Sequence, residues 1–90
     1  MAQSENRLTV ELVAREGVLW SGECGYVQVP VSDGLLGILP RRQPLLATLS
    51  PGDVIITADD GTDTSFTVDQ GFVSVDSDVV TIVASHGSVA

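Results

Sequence analysis

The sequence predicts an all-β fold, a two-sheet antiparallel β-sandwich of about nine or ten short strands. Apolar and polar residues alternate with a period of two in segment after segment, as they do in strands that have one face in a core. Turn residues, chiefly Gly, Pro, Asp and Ser, recur between these segments. No apolar series with helical spacing continues for more than one turn, and β-branched residues dominate.

The first three strands are predicted at residues 8–13, 18–20 and 26–31. Leu8, Val10 and Leu12 alternate with more polar neighbours, which predicts one buried face. The second strand follows a turn at residues 15–17 and is expected to end at Gly22. The third strand contains Pro30, which offers no N–H to a ladder and therefore belongs at an edge, a bulge or a strand end.

The remaining strands are predicted at residues 35–39, 44–49, 54–57, 65–68, 72–75 and 79–84. Asp33-Gly34 supplies a turn with a positive-φ glycine before the first of these, and Pro40 stops it. A hairpin around Gly61 and the tight turn 76–78 connect the later pairs. From these patterns we expect the following residues to be largely buried: Leu12, Trp20, Val29, Ile38, Leu46, Ile56, Phe66, Val73 and Ile82.

The chain has 90 residues, which predicts a single domain over 1–90, with an N-terminal extension at 1–6 and a flexible tail at 85–90. A chain this short hides only about 60–65% of the surface that its unfolded form exposes, so its core is thin. The 1–6 segment has neither a basic region nor an apolar region and does not resemble a secretory signal. No apolar run approaches the ~20 residues needed to cross a bilayer, so we expect no direct membrane insertion.

The charge composition excludes several classes of function. Twelve acidic residues oppose four arginines, there is no lysine, and the formal net charge is -8. Such a domain repels phosphate backbones, so nucleic acid is not an expected partner. Schiff-base chemistry, a lysine-containing phosphate loop and biotin or lipoate carriage all require the missing amine. The single cysteine, Cys24, cannot form an intramolecular disulfide and is expected to be a buried apolar residue.

Candidate chemical sites are weak, and we expect no catalytic residue, metal or cofactor. Asp59, Asp60 and Asp63 surround Gly61 but lack the ligand spacing of an EF-hand, which favours a solvated hairpin tip. His86 is the only histidine in the sequence and lies four residues from its end, where it has no second ligand beside it. An enzyme is therefore the least favoured class.

The most informative stretch runs from Asp33 to Leu46, where Gly37-Ile38-Leu39-Pro40 is followed by Arg41-Arg42-Gln43 and Pro44-Leu45-Leu46. It resembles the signature of the epsilon subunit of F-type ATP synthase, in the N-terminal β-sandwich domain. Residues 8–13 and 19–22 resemble the opening strands of that family, and residues 51–54 and 69–75 resemble its later turns. The resemblance covers residues 7 to 84, roughly the whole domain.

The resemblance implies a non-catalytic central-stalk (rotor) subunit at the cytoplasmic face of the bacterial cell membrane. Its expected partners are the γ subunit, held by one face of the sandwich, and the c-ring, held by its end. The implied interface comprises Ser32, Asp33, Gly34, Leu35, Arg41, Arg42 and Gln43. Many relatives have a histidine in place of Arg42 and an acidic residue in place of Leu35. The arginine pair is the only basic pair in the chain, and it suits acidic groups on another subunit.

Two further expectations remain open at this stage. Many epsilon subunits continue into a helical hairpin that can inhibit hydrolysis. Residues 85–90 are too few and too rich in Gly, Ser and Val to begin one, so we expect assembly and coupling without that brake. The alternative function is a free-standing β-sandwich recognition module that binds a peptide or a sugar through its loops.

Overall fold

The computed structural model describes residues 7–90 and contains ten β-strands, whose side chains alternate between an inward and an outward face. Inward positions along each strand are Val, Leu or Ile for the most part, and outward positions are mostly polar, which suits a half-buried sheet. The strands are β1 Leu8–Ala14, β2 Gly17–Cys24, β3 Tyr26–Val31, β4 Gly34–Ile38, β5 Leu45–Leu49, β6 Gly52–Thr57, β7 Asp63–Val68, β8 Gly71–Asp76, β9 Val79–Ala84 and β10 Gly87–Val89. The all-β prediction is confirmed.

The strands form one hydrogen-bonded path, in the order β10-β7-β6-β3-β5-β8-β9-β1-β2, with β4 paired to β3. The path folds over into the two layers of a sandwich, and its two end strands approach each other. Gly87 of β10 lies so close to Leu19 of β2 that a Cβ added to it would be 2.6 Å from that side chain. The sandwich is therefore nearly closed on the side of β2 and β10.

One pair departs from the antiparallel prediction. β1 and β9 run parallel, with Val10 opposite Val80 and Leu12 opposite Ile82. A parallel pair needs a long connection, and here the connection is everything from β2 to β8. The pair thus joins the first strand of the chain to the ninth.

The core is a single cluster of apolar side chains contributed by strands of both layers. Among the described residues no polar or charged residue is buried. The predicted core positions Leu12, Val29, Ile38, Ile56, Phe66, Val73 and Ile82 are all buried.

Two core predictions need correction. Leu46 is 74% exposed, because β5 directs Leu45, Ala47 and Leu49 inward and its even-numbered residues outward. Trp20 is half-buried and packs against the edge of the core. Its ring also covers Gly22, where an added Cβ would be 3.2 Å from the indole. Gly22 therefore gives room to the ring within β2 and does not end the strand, which continues to Cys24.

The C-terminal segment also differs from expectation. Where the sequence predicts a flexible tail, β10 pairs with β7, and Val89 lies opposite Phe66. Backbone bonds flank the pair, since Asp69 N–H donates to the His86 carbonyl and Ala90 N–H donates to the Ser65 carbonyl. Three residues of Gly, Ser and Val show no alternation, so the pattern could not reveal this strand. The predicted N-terminal extension, 1–6, lies outside the described residues.

Candidate subunit interface

The first half of the predicted interface is the tip of the hairpin between β3 and β4. Ser32 and Asp33 form the turn, and Gly34 follows with a φ of +130°, a conformation that side chains disfavour. All three residues are exposed, and Leu35 beside them is 67% exposed. The tip is thus an exposed, largely uncharged projection with one unburied leucine.

The second glycine of the signature is needed for packing. Gly37 lies under the side chain of Tyr26, whose hydroxyl would be 2.6 Å from a Cβ at this position. Gly37 lies opposite Gln28 in the β3–β4 ladder, on the same outward face as the exposed Leu35 and Leu39. The missing Cβ leaves room for the tyrosine side chain beside β4.

The second half of the predicted interface is the loop between β4 and β5. Arg41, Arg42 and Gln43 are all exposed. Arg41 has a φ of 68°, in the left-handed region that non-glycine residues rarely adopt. Its backbone N–H donates a hydrogen bond of 2.6 Å to the Asp78 carboxylate, which belongs to the turn between β8 and β9.

The two halves lie at opposite ends of β4. β4 has five residues, and an extended strand of that length spans roughly 13 Å between its first and last Cα atoms. The next strand, β5, leads from the arginine loop back towards the tip, since its last residue, Leu49, pairs with Val31 and its first residue, Leu45, pairs with Val75. The structure therefore divides the predicted residues into two surfaces, the hairpin tip (32–35) and the arginine loop (41–43).

An apolar surface that sequence reasoning missed adjoins the arginine loop. Leu46 on β5 is 74% exposed and Phe72 on β8 is 44% exposed, and both project from the outer face of the same layer. Together with Ala47 and Thr48 they line a shallow depression of about 440 Å³. We call these four residues the Leu46–Phe72 patch.

The patch continues along one row of the sheet. Phe72 lies opposite Val83 of β9, which lies opposite Val13 of β1. Both valines are partly exposed on the outer face. One signal could have revealed the patch: Leu45 and Leu46 are adjacent in a strand, so only one of them can face the core.

Charged side chains elsewhere link segments that are distant in the sequence. Arg7 contacts Glu23 at 3.0 Å and also pairs with Asp59, so it connects β2 with the loop after β6. These pairs are about half exposed and contribute little to stability.

Glu16 joins the β1–β2 turn to β10. Its carboxylate lies 3.2 Å from His86 Nδ1 and accepts a 3.3 Å bond from Gly87 N–H. The hydrogen bond with His86 is the main reason that the pKa of Glu16 lies below its ordinary value. His86 thus has a structural partner, in a position that the sequence predicted to be a tail.

The acidic hairpin shows ordinary turn bonding. Asp60 accepts from Thr62 N–H at 2.9 Å, which lowers the pKa of Asp60, and Asp63 accepts from the Thr57 hydroxyl at 2.7 Å. Within residues 7–90 no group of three or more His, Cys, Asp and Glu side chains could hold a metal ion. Cys24 is buried, and burial raises the pKa of its thiol.

No helix in the described part of the chain has the length and apolar character needed to span a membrane.

Comparison with known proteins agrees with this geometry. Residues 7–88 match the family described as "ATP synthase, Delta/Epsilon chain, beta-sandwich domain". The ATP synthase epsilon chain of Micrococcus luteus is 40% identical over 78 residues, which cover 87% of this chain and 86% of that protein. The ATP synthase epsilon chain of Rhodococcus opacus is 40% identical over 84 residues, which cover 92% of this chain and 69% of the relative.

Two solved structures share the fold at low sequence identity. A chain of the Euglena gracilis mitochondrial ATP synthase, solved with OSCP, F1 and c-ring, matches with a TM-score of 0.89 and 16% identity. The match covers 98% of this chain and 56% of that one. A chain of the Tetrahymena thermophila mitochondrial ATP synthase central stalk and c-ring matches with a TM-score of 0.73 and 15% identity, over 98% of this chain and 69% of the other.

Proposed function

Because the chain belongs to the family of ATP synthase delta/epsilon chains through its β-sandwich domain, we propose that it is a non-catalytic rotor subunit that binds γ and the c-ring. In this role it couples rotation of the ring to ATP synthesis at distant catalytic subunits. It associates with the cytoplasmic face of a bacterial membrane through the complex. A close-packed two-layer sandwich suits this role, because it transmits torque without being compressed.

The Leu46–Phe72 patch is the observation that carries the proposal. A leucine that is 74% exposed beside a phenylalanine that is 44% exposed forms a contiguous apolar surface. Such surfaces on small domains mark interaction sites. The patch lies on a flat sheet face and is shallow, which suits another protein better than a small molecule. We assign the patch to γ.

The arginine loop extends the same surface. Arg42 is four residues before Leu46, and the loop leads directly into β5. Two arginines beside an apolar centre, on a domain whose formal net charge is -8, would select a partner with acidic groups at the rim of the contact. The loop therefore adds orientation and specificity to apolar burial.

The hairpin tip is assigned to the c-ring. It lies at the far end of β4 from the arginine loop, so the two surfaces can contact two different partners. Gly34 and Leu35 present little charge, and Asp33 is the only charged group in the tip. Two separated surfaces agree with a subunit that must hold two neighbours in a fixed relation as they rotate together.

The test is co-elution of the domain with γ and with a detergent-solubilised c-ring in gel filtration. Leu46→Asp should abolish co-elution with γ. Val89→Asp is the matched control, because Val89 is 72% exposed but lies on β10, in a ladder with β7 and away from the patch. Leu35→Arg should weaken association with the ring and leave association with γ intact.

Failure of the wild-type domain to co-elute with γ would refute the proposal. Equal co-elution of Leu46→Asp and Val89→Asp with γ would refute the assignment of the patch. Co-elution of the wild type would at the same time count against a free-standing recognition module, which has no reason to bind γ.

A further inference from the structure

The turn between β8 and β9 contains an aspartate, Asp78, that the turn conformation does not require. Ser77 and Asp78 both have positive φ, 51° and 63°, as the central residues of a type I′ hairpin turn do. Glycine, asparagine and aspartate adopt such positions most readily, and glycine is the least strained of them. The identity of the side chain at residue 78 is therefore not fixed by the turn.

Asp78 makes two contacts that connect three separate segments. Its carbonyl accepts a 2.8 Å bond from Thr9 N–H, at the start of β1. Its carboxylate accepts a 2.6 Å bond from Arg41 N–H, in the loop after β4. The first contact uses the backbone and would survive a substitution that keeps the turn, whereas the second needs an acceptor on the side chain.

The second contact holds a disfavoured backbone. Arg41 has a φ of 68°, and without a partner for its N–H an exposed loop of this kind would sample other conformations. A bond to a carboxylate is among the stronger hydrogen bonds available to a backbone N–H. The bond therefore fixes the course of the chain at Arg41, and with it the direction in which Arg42 leaves the loop.

We infer that Asp78 is a positioning residue for the rotor contact: through the N–H of Arg41 it orders the arginine loop so that Arg41 and Arg42 meet acidic groups of γ beside the Leu46–Phe72 patch. The inference rests on the proposed function. Asp78 itself is half-buried and acts through the loop. Ordering the loop before binding reduces the entropy lost on association.

The variants Asp78→Gly and Asp78→Asn separate this role from others. Glycine keeps the turn and removes the acceptor. Asparagine also tolerates the turn, keeps an oxygen acceptor and removes the charge. In the isolated domain, amide exchange measured by NMR should show a protected Arg41 N–H in the wild type. Protection should be lost in Asp78→Gly and largely kept in Asp78→Asn, and each protein should unfold in one cooperative transition, which shows that the sandwich itself is intact.

Binding is then measured to a rotor complex from which the epsilon chain has been removed. Asp78→Gly should bind about tenfold more weakly, because the loop is then ordered only on binding, at the expense of binding free energy. Asp78→Asn should bind within about threefold of the wild type, because an oxygen acceptor remains. In an Arg41→Gly/Arg42→Ala background, Asp78→Gly should have almost no further effect, since the side chains that it positions are absent.

Three results would overturn the inference. Equal weakening by Asp78→Gly and Asp78→Asn would mean that the carboxylate contacts the partner directly. An undiminished effect in the arginine-free background would mean that Asp78 does not act through the loop. Wild-type binding by Asp78→Gly would mean that the ordering is irrelevant. If the wild-type domain itself fails to bind the rotor, the proposed function fails and the positioning role falls with it, whatever the exchange experiment shows.

Discussion

The contrast between Leu46 and Ile38 gives the sharpest prediction. Both are aliphatic residues in short strands of the signature region, but Leu46 is 74% exposed and Ile38 is 0% exposed. Truncation to alanine should therefore have opposite consequences at the two positions. Leu46→Ala should reduce binding to the rotor with little effect on folding, and Ile38→Ala should reduce stability.

The expected magnitudes follow from burial. Full burial of a leucine or isoleucine side chain contributes roughly 1.5–3 kcal/mol, and a quarter of that, for Leu46, is about 0.4–0.8 kcal/mol. Ile38→Ala also leaves a cavity in the core, so it should cost about 2–5 kcal/mol. The second value is a large part of the roughly 5–15 kcal/mol that stabilises a typical domain.

Urea unfolding followed by the fluorescence of Trp20 measures both values, provided that the dependence of free energy on urea is the same for both variants. Rotor binding is measured under conditions in which each variant is folded. If Leu46→Ala costs 2 kcal/mol or more, as a buried leucine would, the outward orientation of β5 is wrong. A loss of less than about 1 kcal/mol for Ile38→Ala would show that β4 does not contribute to the core.

Three other substitutions test separate parts of the structure. Gly71→Ala should destabilise the domain by about 1–3 kcal/mol or more in urea unfolding, because the new Cβ would lie 1.8 Å from the Val83 carbonyl oxygen, a backbone atom that cannot rotate away; a neutral substitution would contradict the β8–β9 packing. The pKa of Glu16 is depressed below 4.5 in the folded state, so the stability it adds is present above pH 4.5 and is lost as pH falls through the folded pKa. Unfolding curves of Glu16→Gln and wild type should accordingly differ at neutral pH and converge in acid, and a difference that persists in acid would refute the linkage. Replacing Arg41 and Arg42 together by glutamate should weaken co-elution with γ and leave the unfolding midpoint unchanged, and undiminished co-elution would exclude the arginine loop from the contact.

The strands could be predicted from the sequence because a period of two is a local signal. Seven of the nine expected core residues are buried, and the alternation is clearest in β1 and β3, which contribute Leu12 and Val29. The prediction failed where the pattern was ambiguous. In β5 two leucines are adjacent, and only pairing with β8 decides that Leu45 faces inward. In β10 three small residues acquire their strand conformation entirely from β7.

The candidate interface was less predictable, because it depends on contacts between distant segments. The resemblance implied one set of interface residues for γ and the c-ring together and did not divide the set between them. The structure places the hairpin tip and the arginine loop at opposite ends of β4, although few residues separate them along the chain. The reverse holds for Arg41 and Asp78, which are 37 residues apart in sequence and form a direct hydrogen bond. Distance along the chain therefore does not predict which of these residues lie together in space. The surfaces available for recognition follow from the order and register of the strands.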